Sequence, residues 1–201
     1  MLTIHADSRG RALAVKGAWI DAAGTLEELA AARPRARVRQ WPGILTPGLV
    51  SLYGDELLEE TYHPDPREAG ALGTEPLTGA AFAALAPDAA RLAASARRGI
   101  QRLLRHGTVA VACGELRSRA VRDAVRRSGI GIVGRSGRPE GPVSLDPYAC
   151  GRPAVFADPR QSGSAARFAV FDVPDEAALA VRGAATCVAT VVEGRITYRR
   201  R

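Results

Sequence analysis

The stretch Thr108-Val109-Ala110-Val111-Ala112-Cys113 decides the fold: bounded by Gly107 and Gly114, it reads as a short strand. Upstream of it, from Asp88 on, Leu92, Ala96, Ile100, Leu103 and Leu104 fall on one helical face. Arginines occupy the other face, and Gly107 supplies the C-terminal cap. Downstream, Ser118 caps a second helix in which Val121, Ala124 and Val125 share a face, and Gly129 closes it. Ile130-Gly131-Ile132-Val133 is the next strand; Leu49–Tyr53, entered through Thr46-Pro47-Gly48, is an earlier one. Strand, helix, strand, helix, strand with short links predicts a parallel α/β unit.

Outward from this unit the pattern turns to β at both ends. Leu2–Ala6, Ala12–Val15 and Arg35–Trp41 read as short strands, with turns at Ser8-Arg9-Gly10 and Gly24. Thr25 caps a short helix, Leu26–Ala32, that stops before Pro34. Residues 60–88 are rich in Pro and Gly and predict an ordered excursion with one short helix near Gly79–Leu85. After a Pro/Gly-rich link over 135–151, Ala154–Phe156 and Phe168–Phe171 are strand-like. Cys187–Val192 and Arg195–Tyr198 predict a hairpin around Glu193-Gly194, followed by a solvated tail, Arg199–Arg201.

The 201 residues suffice for a real core, and 46% hydrophobic with 24% charged residues is ordinary for a globular protein. No apolar run approaches the ~20 residues of a membrane span, which argues against a membrane protein. The start, Met1 to Asp7, lacks the pattern of a secretory signal, and three scattered cysteines (Cys113, Cys150, Cys187) suit no disulfide framework. Both point to the cytoplasm. The net charge of +7 is almost all arginine, Lys16 being the only lysine, and the arginines are spread along the chain. Nucleic-acid binders concentrate charge on a face or stripe, so no nucleic-acid partner is expected.

Four stretches carry a resemblance. Trp41-Pro42-Gly43-Ile44-Leu45-Thr46-Pro47-Gly48-Leu49-Val50 resembles the Pro-Gly entry of amidohydrolases into their first barrel strand. Arg105-His106-Gly107-Thr108-Val109-Ala110-Val111 resembles their second strand. Ala166 to Asp172 and Val191 to Tyr198 resemble two strands near their C-terminus. The order of the four is that of the amidohydrolase superfamily, in particular imidazolonepropionases and aminodeoxyfutalosine deaminases. The resemblance implies a fold of class α/β plus β. Residues 1–45 with 152–201 would form a composite β-sandwich, and 46–151 an incomplete barrel-like domain of about three strand–helix units.

Two departures bear on function. The family carries His-x-His after the first barrel strand, and residues two apart on a strand point the same way, so both imidazoles reach one ion. The matching positions here are Tyr53 and Asp55. A complete barrel also takes about 250 residues, so the later strands that carry the remaining ligands do not fit. The resemblance therefore implies no metal and no other cofactor.

Several residues remain as candidates. His63 and Asp65, each followed by proline, form either a preorganised pair or a rigid surface turn with the imidazole solvated or stacked on Tyr62. Asp55, Glu56, Glu59 and Glu60 read as acid–base carboxylates, or as the solvated first turn of a helix. Cys113 and Glu115 end a strand where α/β sheets bind ligands, but no histidine is placed to activate the thiol. His106 suits the negative end of a helix, and His5 a structural place in an edge-like strand. Gly134-Arg135-Ser136-Gly137 would meet an anion, although no helix follows it.

Together these features predict a non-catalytic or partner-dependent binding and assembly module. Its open parallel edge would be covered by a second copy or another protein, with room for a small-molecule ligand. The alternative is a hydrolase of non-peptide C–N bonds in a small cyclic amidine or purine-like substrate. It would use a relocated site drawn from Asp55, Glu56, His63, Asp65, His106, Cys113 and Glu115, with zinc if a metal takes part.

Overall fold

The computed structural model describes residues 1–151, 153–156 and 161–200; residue 201 of the expected tail lies outside them. The first β segment holds β1 (Leu2–Ala6), β2 (Arg11–Lys16), β3 (Trp19–Thr25), helix α1 (Leu26–Ala32), β4 (Arg37–Gln40) and β5 (Ile44–Pro47). The middle runs through β6 (Leu49–Ser51), α2 (Gly54–Leu58), β7 (Thr61–Tyr62), α3 (Ala69–Leu72), β8 (Leu77–Thr78), α4 (Gly79–Leu85) and α5 (Ala89–Leu104). It continues with β9 (Thr108–Cys113), α6 (Arg119–Ser128) and β10 (Gly131–Gly134). The chain ends with β11 (Ala154–Val155), β12 (Phe168–Phe171), α7 (Glu176–Arg182), β13 (Cys187–Val192) and β14 (Arg195–Arg199). Helix α7 lies in a stretch the sequence pattern did not mark, because it is short and mostly alanine and valine between Asp175 and Gly183.

The predicted parallel unit is the second sheet, ordered β10-β9-β6-β11. Strands β6, β9 and β10 run parallel, and β11 adds antiparallel on the far edge. Strand β9 is buried at every position. On one face Val109, Val111 and Cys113 pack with Ile100, Leu103 and Leu104 of α5 and Val121, Ala124 and Val125 of α6. On the other, Ala110 and Ala112 meet Val50, with Ala154 and Phe156 over them. Burying each valine contributes about 1.5–3 kcal/mol. The described residues form no closed barrel.

The β-rich ends come together. The first sheet has the order β3-β2-β1-β4, and the third, wholly antiparallel, has β14-β13-β12-β5. Leu13, Val15 and Ile20 of the first share one apolar cluster with Leu45, Phe168, Val170 and Val191 of the third. Backbone bonds stitch them, Ile20 N–H to Ser164 O and Ala166 N–H to Ala18 O. Thr25 caps α1 through a reciprocal pair with Glu28. The β13–β14 turn places Glu193 at φ 49° and Gly194 at φ 72°, the left-handed pair a two-residue hairpin needs. Glu193 adopts that conformation while its carboxylate accepts from Arg167 at 2.8 Å.

Strand β1 pairs with β2 on one side and β4 on the other, so His5 sits in an inner strand and not at an edge. Gly107 is the tightest joint between helix α5 and the sheets. Its φ is 74°, and a Cβ there would lie 2.5 Å from Phe171 Cζ. Gly10 has a similar φ of 80° but open space around it. Gly10→Ala is therefore expected to cost about 1 kcal/mol of backbone strain. Gly107→Ala should add roughly 1–3 kcal/mol of overpacking, and urea unfolding of the two variants measures the difference.

Candidate functional site

The carboxyl ends of the three parallel strands converge on one cluster. After β6 the chain turns through Tyr53 into α2, which brings Asp55 and Glu56 over the sheet. Strand β9 ends at Cys113, and β10 delivers Arg135, whose N–H donates to Cys113 O at 2.9 Å. The Arg135 guanidinium then forks onto Glu56, with Nη1 and Nη2 each 3.0 Å from a carboxylate oxygen. Its Nη2 also donates to Asp55 Oδ2 at 2.7 Å, and Gly114 N–H donates to the same oxygen at 2.9 Å. Arg135 and Glu56 side chains are 12% and 5% exposed, so these charges interact with little solvent screening. Burial works against the Arg135 charge, yet its bonds and attraction to Glu56, then to Asp55, outweigh it and raise its pKa.

The acidic run is thus not the solvated first turn that its sequence suggested. Asp55 and Glu56 turn inward to Arg135, because a bidentate guanidinium is close enough to offset their desolvation. Glu59 accepts the N–H groups of Arg117 and Ser118 at 3.0 and 2.6 Å and so holds the start of α6. Only Glu60 stays out in solvent, with Arg138 at 3.8 Å. The loop Gly134 to Gly137, read as an anion site, does meet anions. They are the protein's own carboxylates.

The other candidates scatter. His63 is fully buried, neither solvated nor stacked in a surface turn. Its Nε2–H donates to Leu57 O at 2.8 Å and its backbone N–H to Ser95 Oγ at 2.8 Å. Asp65 faces another way, capping a short 3-10 turn over Pro66–Glu68 and pairing with Arg98 at 3.2 Å. His106 bonds Arg102 O at the end of α5, and so lies at the opposite end of β9 from Cys113, roughly 17 Å along the strand. Glu115 is exposed. Cys113 is sealed under α2: a Cβ on Gly54 would lie 2.3 Å from its Sγ. Burial, with the Asp55 charge nearby, pushes this thiol up to about 12, so it is no nucleophile at neutral pH.

A zinc ion does not fit the donor set at the strand ends. Tyr53 spends its hydroxyl on Glu140 O at 2.8 Å, and Asp55 already holds a guanidinium. No group of three potential ligands forms among the described residues. A second feature, unmarked in the sequence, is a recess of about 1160 Å³ between β2, β5, β11 and α7. Leu13, Leu45, Pro47, Val155 and Leu179 line it, and the charged residues lining it among the described residues, Arg11 and Glu176, pair at 2.8 Å. The alanines of α7 that leave this space open carry no sequence signal for a pocket.

No family profile matches the chain, and no curated protein sequence does. Among solved structures the chain is similar to A. niger ochratoxinase, at 17% identity and TM-score 0.43, over 66% of this chain and 30% of that one. It is similar to E. coli guanine deaminase at 17% identity and TM-score 0.43, over 65% and 31%. It is also similar to an adenosine deaminase from Xanthomonas campestris with bound zinc, at 20% identity and TM-score 0.40, over 62% and 28%. The chain thus spans about three tenths of the length of these proteins.

Arg135→Ala leaves Asp55 without its cation and Glu56 with only the exposed Arg138 at 3.5 Å, and is expected to destabilise by about 3 kcal/mol. Arg135→Met combined with Asp55→Asn and Glu56→Leu should recover much of that loss, read from urea midpoints. A pH effect follows from the two buried imidazoles. Burial, then Arg39, lowers His5 to about 4, and burial, with Arg102 and Arg98 adding to it, lowers His63 to about 4 against the opposing Leu57 bond. The unfolded chain then binds more protons between pH 6.5 and 4, so stability falls as pH falls through that window. His63→Gln should make the fall shallower.

Proposed function

We propose that this chain is an amidohydrolase-like binding and assembly module in which an internal arginine occupies the charge position of a catalytic metal. One observation carries the reading. Arg135 holds Asp55 and Glu56 together at the carboxyl ends of the parallel strands, where the sequence resemblance puts ligating histidines. A fixed cation there repels a second one and holds both carboxylates in ion pairs. The relocated hydrolase site would need His63, Asp65 or His106 beside Asp55 and Cys113, and each has its own bond elsewhere.

In this reading the β-rich ends, 1–45 with 152–201, form one composite sandwich, and 46–151 form the partial barrel-like domain. The shared apolar cluster of the first and third sheets supports that division. Assembly falls to β10, an outer strand with Ile132 56% and Val133 38% exposed, against which a second copy would pair. Binding of a small neutral ligand falls to the apolar recess, where Arg11 and Glu176 pair with each other.

Metal analysis of protein purified without chelator tests the reading. The expected result is no stoichiometric transition metal in the wild type and no gain of zinc affinity on substituting Tyr53 alone. Zinc at one equivalent, displaced when Asp55 is replaced by asparagine, would overturn it. Light scattering checks the assembly: Ile132→Lys should convert a dimer to a monomer, and a wild-type monomer at tens of micromolar counts against pairing through β10.

A further inference from the structure

Arginines 9, 11, 33, 91, 98, 135 and 167 each lie within ion-pair distance of a carboxylate. Arg37, Arg39 and Arg199 are among the arginines with no ion-pair partner among the described residues, and what sets them apart is where they converge. They lie on two outer strands, β4 of the first sheet and β14 of the third. Both edges close on Trp41. The guanidinium carbon of Arg39 is 5.5 Å from the indole centroid and that of Arg199 is 5.7 Å. Trp41 is only 6% exposed, and its N–H donates to the buried His5 Nδ1 at 3.2 Å, so the ring is a fixed anchor.

Like charges are held together here by packing. The attraction of each guanidinium for the indole face contributes about 0.5–1 kcal/mol, which offsets part of their repulsion. The pKa of Arg39 is lowered by burial first and then by Arg37 and Arg199. An arginine on an edge strand also discourages edge-to-edge pairing. That role explains charge on each edge separately; it does not explain why two edges aim their arginines at one ring with no carboxylate between them.

We propose that Arg37, Arg39 and Arg199 form a binding site for a multiply charged oxyanion, a phosphate group on a small molecule or on a lipid headgroup. Guanidinium forks match phosphate oxygens two at a time. A phosphate monoester carries close to two charges and three acceptor oxygens, enough to serve more than one arginine and to neutralise more of their charge than a singly charged carboxylate. A nucleic-acid strand fits less well. Stacking needs an open aromatic face, and Trp41 is buried with the two guanidinium groups over its ring. The site is remote in the fold from the Arg135 cluster and does not depend on the reading of it.

Trp41 is a built-in reporter, since the chain has two tryptophans and Trp19, 58% exposed, can be replaced by phenylalanine. The Trp19→Phe protein is titrated with sodium triphosphate and, separately, with phosphatidylcholine vesicles containing phosphatidic acid, whose headgroup is a phosphate monoester. The expected result is a saturable change in Trp41 emission that weakens as salt is raised. Arg39→Ala and Arg199→Gln should each weaken it roughly tenfold or more, while Arg127→Ala on the exposed face of α6 leaves it unchanged. A response to triphosphate assigns a soluble phosphate compound; a response to vesicles alone assigns a headgroup. No saturable change with either would overturn the proposal. So would an equal loss with Arg127→Ala, which would mark a diffuse charge effect, or tighter binding of a single-stranded oligonucleotide than of triphosphate. If Arg39→Ala fails to fold, the Arg199→Gln and Arg37→Gln titrations decide the matter.

Discussion

Everything in the middle of the molecule depends on burying β9 from both sides. A strand covered on two faces and paired along both edges has no route to solvent, so each of its side chains must be small enough or apolar enough to pack. Thr108 to Cys113 meet that demand, with valines toward the helices and alanines toward the β11 side. The alternation is one of size. Alanine on the second face lets Phe156 and Val50 approach closely, and Arg167 reaches through to Val109 O at 3.0 Å. The same burial dictates the chemistry at the strand's end, since any charge placed there leaves water and needs a partner.

Arg135 is that partner, and its position follows from register. Gly134 pairs with Cys113, so the next residue of β10 lands beside the turn that follows β6. A lysine there would offer one point of charge; the planar fork of arginine reaches both oxygens of Glu56 and one of Asp55 at once. The lattice is not complete, because Asp55 Oδ1 and Arg135 Nε are buried without hydrogen-bond partners among the described residues. Such a cluster is costly to break and contributes little over a well-packed apolar one, which makes it a device of geometry more than of stability. It pins α2, β9 and β10 to one another.

How much of this was legible depended on whether the signal was local. Thr25 with Glu28, Ser118 with Gly129 and the run from Thr108 to Cys113 are local, so capped helices and strands could be read directly from spacing. Helix α7 was missed because seven residues with a single deeply buried leucine give no period to read. The fate of Asp55 and Glu56 was invisible for a different reason: their partner lies about eighty positions downstream, and nothing in either stretch names the other. His63 shows the same limit. A proline-flanked histidine looks like a loop residue, yet Gly99 on α5 leaves room for its ring, at 2.7 Å from where a Cβ would be. Only the packed helix reveals it as core.

The cost of closing the strand ends with an internal ion pair is that the usual place for ligands in an α/β sheet is filled. Chemistry at that place would require Arg135 to leave Glu56, and its removal exposes two carboxylates to a dry environment. What remains open lies at the margins: the recess behind α7, the bare strand β10, and the arginines around Trp41. All three lie away from the strand ends or on sheet edges, where unpaired backbone and uncompensated charge are reachable by solvent. The strand ends are closed by charges that satisfy one another, whereas among the described residues Arg39 and Arg199 meet only an aromatic ring.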